Sequence, residues 1–247
     1  MKASELLDSD YIKALIYGNS GAGKTCLLST FVGPIEIHDF DGKVSSLVNH
    51  VRRTKPEVEA KAFLDQITVY QFNKFPKETR IGEWQKRLQE IDQLRLKQQP
   101  LPFATLCIDS LTTLVSAMLD DYIYRSQKGI KRALADINAM QDYQLLDKHL
   151  TQIISGLLSL DAHVVMLGHM NTEKDEATGV VTRKLLMSGK FADKLPIYFE
   201  EVYVAMVDST GKRVLQTHPD STYSVIRSQR NLAKHISPDY KAISEKK

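Results

Sequence analysis

Eight consecutive residues, Gly18-Asn19-Ser20-Gly21-Ala22-Gly23-Lys24-Thr25, carry the chemistry that reads most directly from this chain of 247 residues. They fit G-x-x-x-x-G-K-[ST]. In that pattern glycines let the backbone approach a polyphosphate, the lysine meets the terminal phosphates and the hydroxyl ligates Mg²⁺. The flanks agree. Residues 11–17 are a short apolar run of strand character, and 26–31 have the composition of a helix that buries one face. A strand-to-helix turn of this kind aims several backbone N–H groups and a helix N-terminus at one spot. The expectation is a nucleoside triphosphate site that also takes Mg²⁺. It is built from Gly18, Asn19, Ser20, Gly21, Ala22, Gly23, Lys24, Thr25 and Cys26, and Lys24 also serves the chemistry.

Asp109 is the second fixed point. It closes the apolar run 103–109, and an acid at the carboxyl end of a strand beside the P-loop is where Mg²⁺ finds its second protein partner after Thr25. The same aspartate could instead cap a helix opening at Leu111.

The elements that must position these residues follow a strand, helix, strand alternation. Further strands are expected at 34–39, 67–72 and 162–169, and amphipathic helices at 83–94 and 143–160. The last third changes character. Residues 201–207, 213–217 and 223–226 read as strands joined by short turns, with 208–212 as a hairpin connection. Alternation first and a meander last predict an α/β fold with a mostly parallel central sheet and antiparallel C-terminal edge strands. With no repeat, low-complexity tract or linker, one domain over 1–247 is expected, its core at about 11–238.

Composition excludes several classes. Apolar residues make up 43% and charged residues 26% of the chain, ordinary values for a soluble globular protein. No apolar run approaches the roughly 20 residues that span a bilayer, and 1–8 has no signal-peptide core. Cys26 and Cys107 sit in apolar surroundings and read as free thiols in a reducing cytoplasm. A net charge of +3 does not by itself argue for nucleic acid.

Ile108-Asp109-Ser110-Leu111-Thr112-Thr113-Leu114 resembles the Walker-B segment of RecA-type recombinase ATPases, where Asp-Ser follows an apolar strand. Phe40-Asp41-Gly42 resembles the stretch in which that family places its catalytic carboxylate, although Asp41 stands where Glu is usual. Gly168-His169 ends a strand where the family carries a polar γ-phosphate sensor. Ser188-Gly189-Lys190, followed by the run from Leu195 to Val202, is similar to a phage branch of small RecA-like ATPases that act as single-strand annealing proteins. Ten residues precede Tyr11, against the longer arm by which RecA-type proteins polymerise. The likeness extends from about Lys13 to Pro238. It implies ATP hydrolysis with Asp41 acting on the attacking water and His169 sensing the γ-phosphate. It also implies a homo-oligomer, no membrane, and the host's cytoplasm if the chain is phage-encoded.

Two groups of cations gain meaning from that resemblance. Between Tyr122 and Ala135 the chain carries Arg125, Lys128, Lys131 and Arg132 with Tyr122 and Tyr124, and cations interleaved with aromatics suit single-stranded DNA. The alternative is a solvated helical face. Residues 171–189 fall where a second DNA loop would lie. Lys190, Arg227 and Arg230 are candidates for completing a neighbouring subunit's site. Against the main expectation stand a P-loop small-molecule or nucleotide kinase and an adaptor that binds ATP without hydrolysing it. A GTPase is disfavoured, since Asn73-Lys74-Phe75-Pro76 lacks the Asp of the guanine motif.

Overall fold

The strand that feeds the P-loop, β1 (Lys13–Gly18), is buried along its whole length. Its side chains alternate between two cores as the pleat demands: Ala14 and Ile16 enter one, Leu15 and Tyr17 the other. The computed structural model describes residues 11–129, 140–187, 191–223 and 225–245, with the backbone alone at 123–129 and 140–142.

After β1 come β2 (Ile35–Asp39), β3 (Ile67–Gln71), β4 (Thr105–Asp109), β5 (His163–Lys174), β6 (Val181–Leu185), β7 (Glu201–Val207), β8 (Arg213–Gln216) and β9 (His235–Ile236). They form a nine-stranded sheet in the order β3-β2-β4-β5-β1-β7-β8-β9, with β6 attached to the outer half of β5. From β3 to β7 every pairing is parallel. Strands β6, β8 and β9 pair antiparallel.

The helices are α1 (Lys24–Leu27), α2 (Ser45–Thr54), α3 (Glu57–Leu64), α4 (Lys77–Leu96), α5 (Leu111–Gly129), α6 (Met140–Leu158), α7 (Phe191–Lys194) and α8 (Tyr240–Ser244). Trp84 and Ile91 of α4, Leu114 and Met118 of α5, and Leu150 and Ile154 of α6 close over one face of the sheet. Leu27, Leu47 and Val51 from α1 and α2, with Phe31 and Ile243, close over the other. Strands buried on both faces need continuous apolar runs, which is what 14–17, 106–108 and 164–167 supply.

Strand β2 departs from that rule. Glu36 and His38 point into the α4 layer and are buried. Arg87 reaches Glu36 at 2.6 and 2.9 Å, and Trp84 donates its indole N–H to His38 at 3.0 Å. The polar pair is thereby satisfied, as buried polar groups must be, and α4 is fixed to the strand that leads to Asp41.

Strand β5 is inserted between β1 and β4. Two expectations are corrected. The run 171–189 is not simply a loop: β5 continues to Lys174 and pairs with β6, and the turn is held by Asp175, whose carboxylate accepts the Ala177 and Thr178 N–H groups. This hairpin is largely exposed, so it carries no buried face for an apolar period to reveal. Within 223–226 the described residues, 223, 225 and 226, belong to no strand. The outer edge of β7 is already taken by β8 at Val204–Val207, and a single bridge from Val202 to Arg227 covers the rest.

Candidate nucleotide site

Parallel pairing brings the carboxyl ends of four strands to one rim. In register, Gly18 faces His169, Leu167 faces Asp109, and Asp109 faces Asp39. In open parallel sheets, ligands bind in the crevice outside these ends. A cavity of about 760 Å³ lies there, lined by the P-loop together with Asp41, Asp109 and His169.

The P-loop backbone is bent into shape by two glycines, Gly21 at φ 80° and Gly23 at φ 88°. That left-handed conformation costs other residues more than it costs glycine. Alternating it with right-handed neighbours turns successive N–H groups toward one concavity, a nest that suits an anion. Lys24 Nζ donates to the carbonyls of Gly18 and Asn19, both at 2.9 Å. Burial holds its pKa below the ordinary lysine value, while Asp109 and Asp41 pull it the other way.

Thr25 Oγ1 donates to Asp109 Oδ2 at 2.7 Å, so the two side chains proposed for Mg²⁺ meet even though β5 separates their strands. Burial raises the Asp109 pKa to about 6; Thr25 opposes this, and the negative charges of Asp41 and Asp39 add to it. Asp39 adds a further carboxylate: its Oδ1 accepts the Gly42 N–H at 2.7 Å, and its buried Oδ2 has no hydrogen-bond partner among the described residues. A hydroxyl, a buried carboxylate and surplus negative charge fit a divalent cation. Among the described residues no group of three or more His, Cys, Asp or Glu gathers to hold a metal. Mg²⁺ does not require one, since it commonly takes one or two protein ligands and fills the rest with phosphate and water.

Asp41 is gripped on both oxygens. Oδ1 accepts from Ser110 Oγ at 2.9 Å and from Thr113 Oγ1, and Oδ2 lies 2.7 Å from His169 Nε2. The His169 backbone N–H in turn donates to Thr112 Oγ1 at 3.0 Å. Burial works to raise the Asp41 pKa. The hydrogen bonds of His169, Thr113 and Ser110 outweigh it and hold the carboxyl at about 2. That balance is reasonable, because a hydrogen bond to a charged group contributes roughly 1.5–3 kcal/mol. The sequence points to Asp41, Asp109 and His169. It gives no sign that the Ser110, Thr112 and Thr113 hydroxyls would clasp them.

The cavity also holds cations that pattern reading missed: Lys43, Arg52, Arg53 and Arg213, with Asn49. Arg52 and Arg53 lie in the last turn of α2, a helix that sequence reading passed over. Arg213 opens β8 and is legible only as the start of a strand.

Other candidates lie elsewhere. Arg227 donates through its guanidinium to the carbonyls of Phe199 and Pro196 at 2.8 and 2.9 Å, and Arg230 lies 3.6 Å from the buried Glu201. Both make these contacts within their own chain. Tyr122 is half-buried against the α-layer core, and its hydroxyl is 2.5 Å from His149 Nδ1. Its ring is engaged in helix packing rather than presented for stacking. The backbone of α5 carries Tyr124, Arg125 and Lys128, whose side chains lie outside the described residues, as do Lys131, Arg132 and Lys190 altogether. Among the described residues no helix is long and apolar enough to cross a membrane.

Residues 10–224 match the AAA domain family. No curated protein matches the chain.

Proposed function

The chain belongs to the AAA domain family of P-loop nucleotide-binding ATPases, and from that premise we propose that it hydrolyses ATP with Mg²⁺ above the P-loop and couples turnover to single-stranded DNA. One convergence carries the hydrolytic part: Thr25, Asp109, Asp41 and His169, drawn from the P-loop helix and three strand ends, line a single cavity. Lys24 offsets the charge of the terminal phosphates. Thr25 and Asp109 would hold Mg²⁺, directly or through water, and the metal when bound would supply positive charge to offset that of the phosphates.

Asp41 orients a water for in-line attack on the γ-phosphorus. The new P–O bond forms as the bond to the β–γ bridging oxygen breaks, leaving ADP and phosphate. A carboxyl held at about 2 is a poor final resting place for a proton at neutral pH. Its task is therefore to orient the water, and the proton leaves with the phosphate. His169 acts as the positioning partner of Asp41 and links the γ-phosphate end of the cavity to the β5–β6 hairpin.

The finer reading, a phage-type RecA-like protein assisting annealing or recombination as a homo-oligomer, rests on the ordered resemblance of its motifs and on the basic run 125–132. ATP turnover with and without Mg²⁺, and with and without single-stranded DNA, tests both parts. We expect Mg²⁺-dependent hydrolysis stimulated by DNA. Turnover that ignores Mg²⁺ would remove the assigned chemistry, and absence of both stimulation and binding would remove DNA as the partner.

A further inference from the structure

Three hydroxyl-bearing residues open α5. Ser110 precedes its first residue, and Thr112 and Thr113 lie in its first turn. A threonine inside a helix commonly turns its hydroxyl back to a carbonyl of the preceding turn. These two turn outward instead. Thr113 Oγ1 donates to Asp41 Oδ1, and Thr112 Oγ1 accepts the His169 N–H at 3.0 Å. Ser110 Oγ has two tasks: it accepts the Thr113 N–H at 3.3 Å, which caps the helix, and it donates to Asp41 Oδ1 at 2.9 Å. The Ser110 and Thr113 hydroxyls lie 3.2 Å apart, side by side on one carboxylate oxygen.

The count of acceptor sites on Asp41 is then nearly closed. An ionised carboxylate offers about four lone-pair sites, two on each oxygen. Ser110 and Thr113 fill both sites of Oδ1. His169 Nε2, 2.7 Å away, takes one on Oδ2. One site on Oδ2 stays open. The surroundings of the two oxygens differ as well. His169 lines the nucleotide cavity together with Asp41, whereas Ser110 and Thr113 do not, so Oδ1 is held to α5 and Oδ2 lies beside a cavity-lining ring. The Asp41 side chain is only 5% exposed, and which oxygen it presents therefore decides what it can do. Left to itself, a carboxylate exchanges its two oxygens by rotation. Two donors on one of them break that symmetry.

We propose that Thr113 is a positioning residue for hydrolysis: with Ser110 it commits Asp41 Oδ1 to α5 and leaves the open site of Oδ2 to receive a hydrogen bond from the attacking water. This rests on the reading of Asp41 as the water-orienting group. The water donates one O–H to Oδ2 and keeps a lone pair for the γ-phosphorus. The Thr113 hydroxyl gives up no proton and touches no substrate; it acts through Asp41. Ser110 shares the task but also caps α5, so Thr113 is the part that can be removed without loosening the helix.

The test is kcat, with ATP affinity measured separately, in wild type, Thr113→Val, Thr113→Ser, Asp41→Ala and the double variant Asp41→Ala/Thr113→Val. Thr113→Val should lower kcat by about tenfold to a hundredfold, the scale of a misplaced reacting group, with ATP affinity within about twofold of wild type. Thr113→Ser keeps the hydroxyl and should stay within about threefold of wild-type kcat. Added to Asp41→Ala, Thr113→Val should cost no more than about twofold further, because the hydroxyl then has no carboxylate to hold. Valine matches threonine in shape and Thr113 is only half-buried, so retained ATP affinity also reports an intact fold. Wild-type kcat in Thr113→Val would overturn the proposal. So would failure of serine to rescue, loss of ATP affinity in step with kcat, or a full-sized loss persisting in the Asp41→Ala background. Normal turnover in Asp41→Ala is a different failure: it would overturn the water-orienting reading itself, and Thr113 with it.

Discussion

His169 Nε2 and Asp41 Oδ2 lie 2.7 Å apart, although β4 stands between the strands that carry them. The contact is possible because the turn after β2 folds back over the end of β4: the Phe40 and Asp41 N–H groups both donate to the Asp109 carbonyl. Three strand ends are thereby tied into one unit. Asp41 is positioned by its neighbours rather than by its own short side chain, which offsets the methylene it lacks relative to a glutamate.

Asp41→Asn should therefore lower kcat by about a hundredfold or more, the scale of positioned acid–base and water-orienting groups, while ATP affinity changes by less than about threefold. The amide keeps an oxygen for Ser110 and Thr113 but turns a donor toward His169 or the water. His169→Ala should lower kcat less, and His169→Gln less again, because glutamine can still donate to Asp41. Steady-state kinetics with a separate ATP-binding measurement check all three. Normal turnover in Asp41→Asn would place the water-orienting group elsewhere.

Lys24→Ala should abolish tight ATP binding and turnover with the fold intact. Among the described residues its ammonium donates to two P-loop carbonyls, Gly18 and Asn19, so the loop loses little framework when the side chain is removed. Asp109→Asn should remove the Mg²⁺-dependent part of hydrolysis while leaving metal-free nucleotide binding measurable. Binding isotherms with and without Mg²⁺, beside thermal unfolding curves, distinguish these outcomes. Wild-type ATP affinity in a folded Lys24→Ala protein would end the assignment.

Much of this architecture is legible in the sequence because parallel strands buried on both faces must be apolar throughout. The segments at 14–17, 106–108 and 202–207 announce themselves in that way. The P-loop is legible for a different reason: its backbone conformation demands glycine at 21 and 23. What stays hidden is set by contacts distant in sequence. Strand order cannot be read from β1 and β4 alone, and Arg213 reaches the P-loop from 192 residues away. The Ser110, Thr112 and Thr113 hydroxyls look like ordinary helix-start residues until the fold brings Asp41 and His169 to them. Buried Glu36 and His38 make β2 look half-exposed, and only Arg87 and Trp84 of α4 explain why it is not.

Stability should fall as pH drops from about 6.5 toward 4, with His163 a main contributor. Burial pushes its pKa from 6.5 to about 4, with the charges of Lys13 and Arg230 acting in the same direction. Its Nδ1 accepts the Ile12 N–H at 2.9 Å, a bond that requires an unprotonated nitrogen. In the unfolded chain the ring returns to an ordinary pKa of about 6.5 and so binds the extra proton first across this window. The stability linked to the neutral ring is thus fully present above about 6.5 and lost progressively down to 4. Urea unfolding of wild type and His163→Gln at pH 7 and pH 5 reads this out. The variant should lose less on acidification, and equal slopes would assign the acid sensitivity to other groups.

The DNA reading faces its test at α5. Replacing Arg125, Lys128, Lys131 and Arg132 together by alanine should weaken single-strand binding and flatten its salt dependence, each lost phosphate contact removing about 0.7 from the log–log slope. Tyr124→Ala should weaken binding with little change in slope, because stacking releases few counterions. Tyr122 belongs to a different comparison. Its hydroxyl meets His149 and its ring packs on the core, so Tyr122→Phe should lower thermal stability and leave both affinity and slope near wild type. A change in DNA affinity from Tyr122→Phe would mean that the α5–α6 pairing, rather than a stacked base, governs binding. Unchanged affinity and slope in the fourfold variant would make this stretch a solvated face. The β5–β6 hairpin, with Lys174, Arg183 and Lys184, would then be the remaining path for DNA, and charge reversal there would decide whether the partner survives at all.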